Sequence, residues 1–347
     1  MPSSAFEVRG RTAVITGGSR GMGLAVARQL AEKGANVVIV ARDEAKLLES
    51  LAYVKEGATG SGGQRFHQIR ADLTSPSEAV RVLDEVASWN GGNAPDIVWC
   101  CAGSSYPTLF VDTPVFEFQA QMDQNFFTGL YMAHAAMRQW LRRAHHSPTA
   151  TSTASVEKPG AQPTKACLTR HLIFTSSFVA FFSFAGYSPY SPSKAALRSL
   201  SDTLSQEVNL YAAANPEEPK IRLHTIFPAG ILSEGYEAEN RIKSDLTKLL
   251  EAGDTPLTPD VIAARSIKGL ESGQELITTD FLTGLVKRSM LSGSLRGGFL
   301  RGCVDWILAG LLAIVMVFVR GDFDKKVRDW GTKFGASGMK TGGNGSA

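Results

Sequence analysis

From Arg11 to Thr279, short apolar β-branched runs alternate with longer segments of helical periodicity. This rhythm constrains the fold more than any other feature. The strand-like runs are expected at Thr12–Thr16, Asn36–Val40, Phe66–Ala71, Ile97–Cys101, His171–Thr175, Ile221–Phe227 and Glu275–Thr279. Helical patterns fall at Gly21–Lys33, Asp43–Glu56, Ser75–Ser88, around Gln121–Arg143, Ser193–Ala213 and Pro259–Glu271. Runs that are apolar at consecutive positions are buried on both faces, the pattern of a parallel sheet covered by helices. With right-handed crossovers the expected class is α/β, a doubly wound parallel sheet with a ligand crevice at the carboxyl ends of its strands.

Two segments break the rhythm. His145–Ala166 is rich in Ser, Thr, Pro and Ala, offers little apolar surface, and reads as a flexible surface insertion. His145 and His146 lie in it, but no partner ligands stand nearby, so no metal site is expected. The second segment contains Val304–Val319, an almost unbroken apolar run with one acid, Asp305. Lys287, Arg288, Arg296 and Arg301 precede it, and Arg320, Lys325, Lys326 and Arg328 follow. It is slightly short of the ~20 apolar residues of a full span. A marginal transmembrane helix, an interfacial segment and a buried helix all remain open, and membrane attachment is the favoured expectation. The expected organisation is a single catalytic domain over 1–280, an apolar and basic membrane-associating segment over 281–330, and a disordered Gly- and Ser-rich tail over 331–347.

The formal net charge of +3 is close to balance and gives no reason to expect a nucleic-acid partner. Cys100, Cys101, Cys167 and Cys303 show no metal-ligand spacing and suit a reduced, cytosol-facing domain. Met1–Arg11 lacks the apolar core of a signal peptide, which agrees with that placement.

The first strand runs into Thr16-Gly17-Gly18-Ser19-Arg20-Gly21-Met22-Gly23, which opens the first helix. Glycines there let backbone approach a pyrophosphate, and the helix N-terminus adds free N–H groups and a favourable dipole. Gly17, Ser19, Arg20, Gly21 and Gly23 are therefore candidate cofactor ligands. An acid at the end of the second strand would bind ribose hydroxyls and repel a 2′-phosphate. Here Arg42 stands in that place, with Arg20 able to reach the same phosphate, so NADPH is the expected cofactor. Asp43 is read as the cap of the following helix. Asp72, after the third strand, lies either beside the adenine or in a helix-entry turn.

Tyr190-Ser191-Pro192-Ser193-Lys194 sets a phenol and an ammonium one helical turn apart, on one face. A neighbouring cation is expected to lower the pKa of the phenol and fit it to donate a proton to a ketone oxygen. Lys194 would also hold the nicotinamide ribose. Ser177, just after the fifth strand, can hydrogen-bond the substrate carbonyl.

With these motifs in place, the chain resembles the short-chain dehydrogenase/reductase family over about Arg11–Thr279. The resemblance implies a Rossmann fold whose T-G-x-x-x-G-x-G turn is Thr16, Gly17, Gly21 and Gly23. The family's serine precedes its tyrosine by thirteen positions, which selects Ser177 over Ser176. Its helix asparagine matches Asn125 and implies a water-anchoring role in proton relay. The family's N-N-A-G appears as Cys100-Cys101-Ala102-Gly103, keeping Ala102 and Gly103 at the cofactor and losing the asparagine contacts. Its P-G appears as Pro228-Ala229-Gly230, one residue longer. Homo-oligomers are usual in the family.

Within the family, the chain is most similar to fungal 3-ketodihydrosphingosine reductases. The likeness rests on the ARDEAKL segment, CCAG, the run Tyr190–Lys194 and Ser233-Glu234-Gly235-Tyr236. It implies a long-chain keto-amine lipid as substrate and the cytosolic face of the endoplasmic reticulum membrane as location. Phe178, Phe181, Phe182 and Phe184 either flank an alkyl chain or pack the core. Glu234 either pairs with the substrate ammonium or is simply exposed. A steroid or retinoid ketone reductase is the alternative within the family, and a noncatalytic NADPH-binding membrane scaffold the alternative outside it.

Overall fold

The structure, a computed structural model, describes residues 4–60, 63–145, 169–290, 299–335 and 338–340. The expected insertion beyond His145 therefore lies outside the described residues. In chain order the elements begin with β1 (Thr12–Thr16), α1 (Gly21–Glu32), β2 (Asn36–Ala41), α2 (Glu44–Lys55), β3 (Phe66–Arg70) and α3 (Pro76–Trp89). Next come β4 (Ile97–Cys100), α4 (Val115–Met122), a π-helical turn over Asp123–Phe127, α5 (Thr128–His145), β5 (Arg170–Thr175) and α6 (Ser191–Ala214). The chain then forms β6 (Ile221–Phe227), α7 (Glu234–Ile242), α8 (Asp245–Leu250), α9 (Pro259–Glu271), β7 (Leu276–Thr278), α10 (Phe281–Met290) and α11 (Phe299–Phe334).

All strand pairs are parallel, in the order β3-β2-β1-β4-β5-β6-β7. Every residue of β1 and β4 is buried, which explains why those runs show no polar alternation. One apolar layer joins Val14, Val38, Val98, Leu172 and Phe174 to Val82, Met132 and Trp140 from α3 and α5. The other joins Ile15, Val37, Ile39, Trp99 and Ile173 to Val26, Leu30, Ile262 and Ile267 from α1 and α9. Both faces are thus covered, and the strand order reverses between β1 and β4. That switch point places the crevice beyond the carboxyl ends of these two strands.

Local chemistry sets the helix ends. Asp43 caps α2 as read, its Oδ1 accepting from the Lys46 N–H at 3.1 Å. Pro76 occupies the first turn of α3. Ser75 takes the N-cap position there, but its hydroxyl pairs with that of Ser77 at 2.9 Å instead of capping the helix. The single helix expected around Gln121–Arg143 is interrupted by the π turn, and α7 and α8 have no counterpart in the sequence reading.

The C-terminal region departs from a simple tail. Val286 of α10 packs with Phe181, Phe182, Phe227 and Leu276, and Met316, Val319 and Phe323 of α11 lie against the same cluster. Trp330, only 5% exposed, packs with Leu246 and Leu250 of α8. The disordered tail expected over 331–347 is corrected for its first part. The helix continues to Phe334, which packs beside Trp330, and the Gly338 carbonyl accepts from the Leu246 N–H at 3.1 Å. Residues 336–337 and 341–347 lie outside the described residues.

Further toward its start, α11 exposes Ile307, Leu311, Ile314 and Phe318, each more than 60% exposed. Their spacing of four, three and four residues places them on one face. Asp305, the one acid of the apolar run, pairs with Arg288 of α10 at 3.4 Å. The segment Gly302–Phe334 is long and apolar enough to cross a membrane by length and composition, with an apolar window of mean hydropathy 2.4.

Candidate active site

The Thr16–Gly23 turn closes over the end of β1. Gly17 adopts φ +65°, and a Cβ there would sit 2.9 Å from the Ala102 backbone. A Cβ on Gly23 would come 2.3 Å from the Gly17 carbonyl. The turn can therefore bring its backbone against a ligand only with glycine at these positions. Thr16 holds the backbone that leaves β4. Its Oγ1 accepts from the N–H groups of both Cys101 and Ala102 at 3.1 Å and ties the end of β1 to the turn after β4. Burial pushes both thiols well above their ordinary pKa, Cys101 to about 12, so they remain neutral.

A continuous cavity of about 1010 Å³ runs from this turn across the strand ends to α11. At the upper end of ligand-site volumes, it has room for a dinucleotide and a second molecule. Gly17, Ser19, Arg20, Gly21, Gly23, Arg42, Asp72, Ala102 and Gly103 all line it, as does the Pro228–Gly230 loop. Arg20 precedes α1 and Arg42 follows β2, and both are exposed at the same end. Asp43 is engaged as a cap, leaving the cations to define that end. Asp72 serves a turn as well, its Oδ1 accepting from the Thr74 N–H at 3.2 Å and hydroxyl at 2.8 Å. The backbone cradle and the helix N-terminus fit the pyrophosphate of a dinucleotide.

At the other end Ser177, Tyr190 and Lys194 come together. Lys194 is 4% exposed; its Nζ donates to the Thr175 carbonyl at 3.0 Å and lies 5.5 Å from the Tyr190 ring centre. Tyr190 ends the loop that enters α6 and opens onto the cavity, with the Ser177 hydroxyl facing its phenol. Asn125 lies in the π turn, 1% exposed. A Cβ on Gly103 would come 2.5 Å from Asn125 Oδ1 and 3.5 Å from Lys194 Nζ, so the glycine allows these groups to converge. Asn125 Oδ1 accepts from the Ser104 N–H at 3.1 Å, and its amide donates to the Gln121 carbonyl at 2.9 Å. Such π turns recur at functional sites because the extra residue re-aims a side chain.

The expected lowering of the Tyr190 pKa is corrected. Burial raises it, the charge of Glu239 adds to the rise, and hydrogen bonding with Ser177 only partly offsets them. Lys194 instead shifts down, to about 8, because burial disfavours its charge. A phenol that keeps its proton at neutral pH is a donor in its working form. Transfer to an alkoxide, a far stronger base, remains downhill.

The four phenylalanines divide between the two roles left open. Phe181 and Phe182 are buried against Phe227, whereas Phe178 and Phe184 line the cavity with Tyr187 and Phe323. Glu234 does not face the cavity; it pairs with Lys46 at 3.0 Å on the surface. Glu239 in α7, and Lys243 and Glu251 at the ends of α7 and α8, were missed because isolated acids and lysines carry no periodic signal. Tyr187 donates to Glu251 Oε1, and Lys243 pairs with Glu251 Oε2 at 2.7 Å.

Residues 11–160 match the short chain dehydrogenase family. With the sheet order, the glycine turn and the Ser177–Tyr190–Lys194 group, the chain belongs to the short-chain dehydrogenase/reductase family. It is 48% identical over 337 residues to the 3-ketodihydrosphingosine reductase of Aspergillus fumigatus, covering 95% of this chain and 87% of that protein. To the 3-ketodihydrosphingosine reductase of Neurospora crassa it is 38% identical, covering 95% of this chain and 85% of that protein. Its fold is similar to that of a short-chain type dehydrogenase/reductase from Mycobacterium marinum, at a TM-score of 0.62 and 24% identity, covering 80% of this chain and 96% of that one.

Proposed function

We propose that this protein reduces the 3-ketone of 3-ketodihydrosphingosine to the alcohol of dihydrosphingosine, using NADPH. One observation carries the reading: a single cavity joins the Ser177–Tyr190–Lys194 group to an apolar wall that includes Phe178, Phe184 and Phe323. The names of its relatives support the same substrate. Bound NADPH supplies the hydride that reduces the ketone carbon. Ser177 orients the carbonyl oxygen, and Tyr190 delivers a proton to it. Lys194 holds positive charge beside the phenol, with the Asn125 amide fixed close by. Arg20 and Arg42 suit the 2′-phosphate. In a steady-state assay of the purified protein across a ketone panel, nicotinamide absorbance should fall fastest with NADPH and 3-ketodihydrosphingosine. Turnover of other ketones with none of this one would overturn the assignment.

The reading places the protein at the cytosolic face of the endoplasmic reticulum membrane. The exposed stripe of α11 supports attachment there, and the free thiols Cys100, Cys101 and Cys303 suit a reducing compartment. Replacing Ile307, Leu311, Ile314 and Phe318 together by serine should move the protein from the membrane pellet to the supernatant. Each lost side chain costs the bound form about 1.5–3 kcal/mol. Undiminished pelleting of a folded variant would count against the stripe as the attachment surface.

A further inference from the structure

We propose that Glu239, with the Ser105 hydroxyl beside it, recognises the substrate's ammonium group and so selects amino-ketones over plain ketones. This rests on the substrate reading above and assigns the polar end of that substrate to particular residues. Glu239 projects from α7 into the cavity that holds Tyr190 and Lys194, close enough for its charge to act on both. In the proposed substrate the amine sits on the carbon next to the ketone, so its partner must lie close to the proton donor.

Asp280 also lines the cavity and caps α10 through the Thr283 N–H at 2.8 Å, but Glu239 is the acid whose charge acts on both Tyr190 and Lys194. Glu234 is tied to Lys46, and both oxygens of Glu251 are taken, one by Tyr187 and one by Lys243. Glu239 forms no ion pair among the described residues, Lys243 being taken by Glu251, and its hydrogen-bonding neighbour is the Ser105 hydroxyl. The Ser105 oxygen is buried and has no partner besides that carboxylate. A carboxylate with no ion-paired cation, beside a hydroxyl in a catalytic cavity, is complementary to a small cation with several N–H donors.

Burial raises the pKa of Glu239 to about 7, with Glu251 adding to the rise and Lys243, Ser105 and Lys194 opposing it. The carboxylate form that binds a cation therefore grows as pH rises through about 7. The groups facing it are Lys243 after α7, Glu251 after α8, Ser105 after β4, Tyr187 and Tyr190 before α6, and Lys194 in α6.

The test compares kcat/KM for 3-ketodihydrosphingosine and for its analogue lacking the amine, using the full chain and NADPH. The Glu239→Gln variant should lower the ratio of the two by about 10- to 100-fold, the loss expected of one charged hydrogen bond. Glu239→Asp should restore part of it. In the parent protein the ratio should grow between pH 6 and pH 8, roughly spanning that transition. An unaltered ratio in folded Glu239→Gln, checked by thermal melting, overturns the assignment of Glu239. A parent that reduces the analogue but not the amino-ketone overturns the substrate reading instead.

Discussion

Replacing Tyr190 by phenylalanine should lower kcat for ketone reduction by about 100- to 10,000-fold, the range for loss of a positioned general acid. The ring itself should stay where it is. Tyr190 sits 6.0 Å from the Tyr187 ring, and its backbone carbonyl takes the Ser193 hydroxyl at 2.7 Å, contacts that phenylalanine keeps. NADPH affinity, read by fluorescence titration, should therefore change little. A fall in kcat without a matching change in cofactor affinity marks an interaction made during the reaction rather than in binding. Turnover persisting in this variant would refute Tyr190 as the proton donor. The same geometry gives the alkaline limb of the pH profile. Lys194 titrates at about 8, so positive charge beside the phenol is present below that value and lost above it, and activity should fall as pH rises through it.

The second large effect concerns cofactor choice. The double variant Arg20→Ala, Arg42→Ala should reduce the preference for NADPH over NADH by about 100- to 1000-fold. Each charge-assisted contact to a phosphate is worth about 1.5–3 kcal/mol, and exposure favours the lower end of that range. Lys46, the other described cation that lines this end, is held by Glu234 and would take over only at the cost of that pair. Nor should Asp43 turn toward the ribose in wild-type protein, because it caps α2. The ratio of kcat/KM for the two cofactors reads the effect directly. A variant as selective as its parent would show that the two guanidinium groups do not bind the 2′-phosphate.

What could be read in advance follows from how strongly each residue is constrained. Strands such as Ala13–Ile15 and Val37–Val40 are buried on both faces, and only a parallel sheet under two helical layers accounts for them. Tyr190 and Lys194 announce themselves because they stand four apart just after a strand and a serine. Glu239 has no such marker. It lies in a polar helix whose neighbours Glu234 and Glu237 look identical in sequence, and only three-dimensional packing turns it toward the cavity. The same limit applied to the phenylalanines, where Phe181 and Phe184 differ in role through the path of a loop rather than through composition. The π turn at Asn125 was also hidden, since Asp123–Phe127 has the same helical propensities as an unbroken α-helix would. The rise in the Tyr190 pKa belongs to this group: spacing revealed the cation nearby, while the depth of burial that outweighs it is a tertiary property.

Helix α11 presents Ile307, Leu311, Ile314 and Phe318 outward and, farther along, lends Phe323 and Lys326 to the cavity wall. For a catalyst attached through that stripe, the substrate concentration that governs the rate is two-dimensional. Turnover would follow the mole fraction of keto-lipid in the surrounding leaflet, and diluting the sample with buffer would leave it nearly constant, whereas adding inert lipid would slow it. A water-soluble relative with the same proton donor would respond in the opposite way.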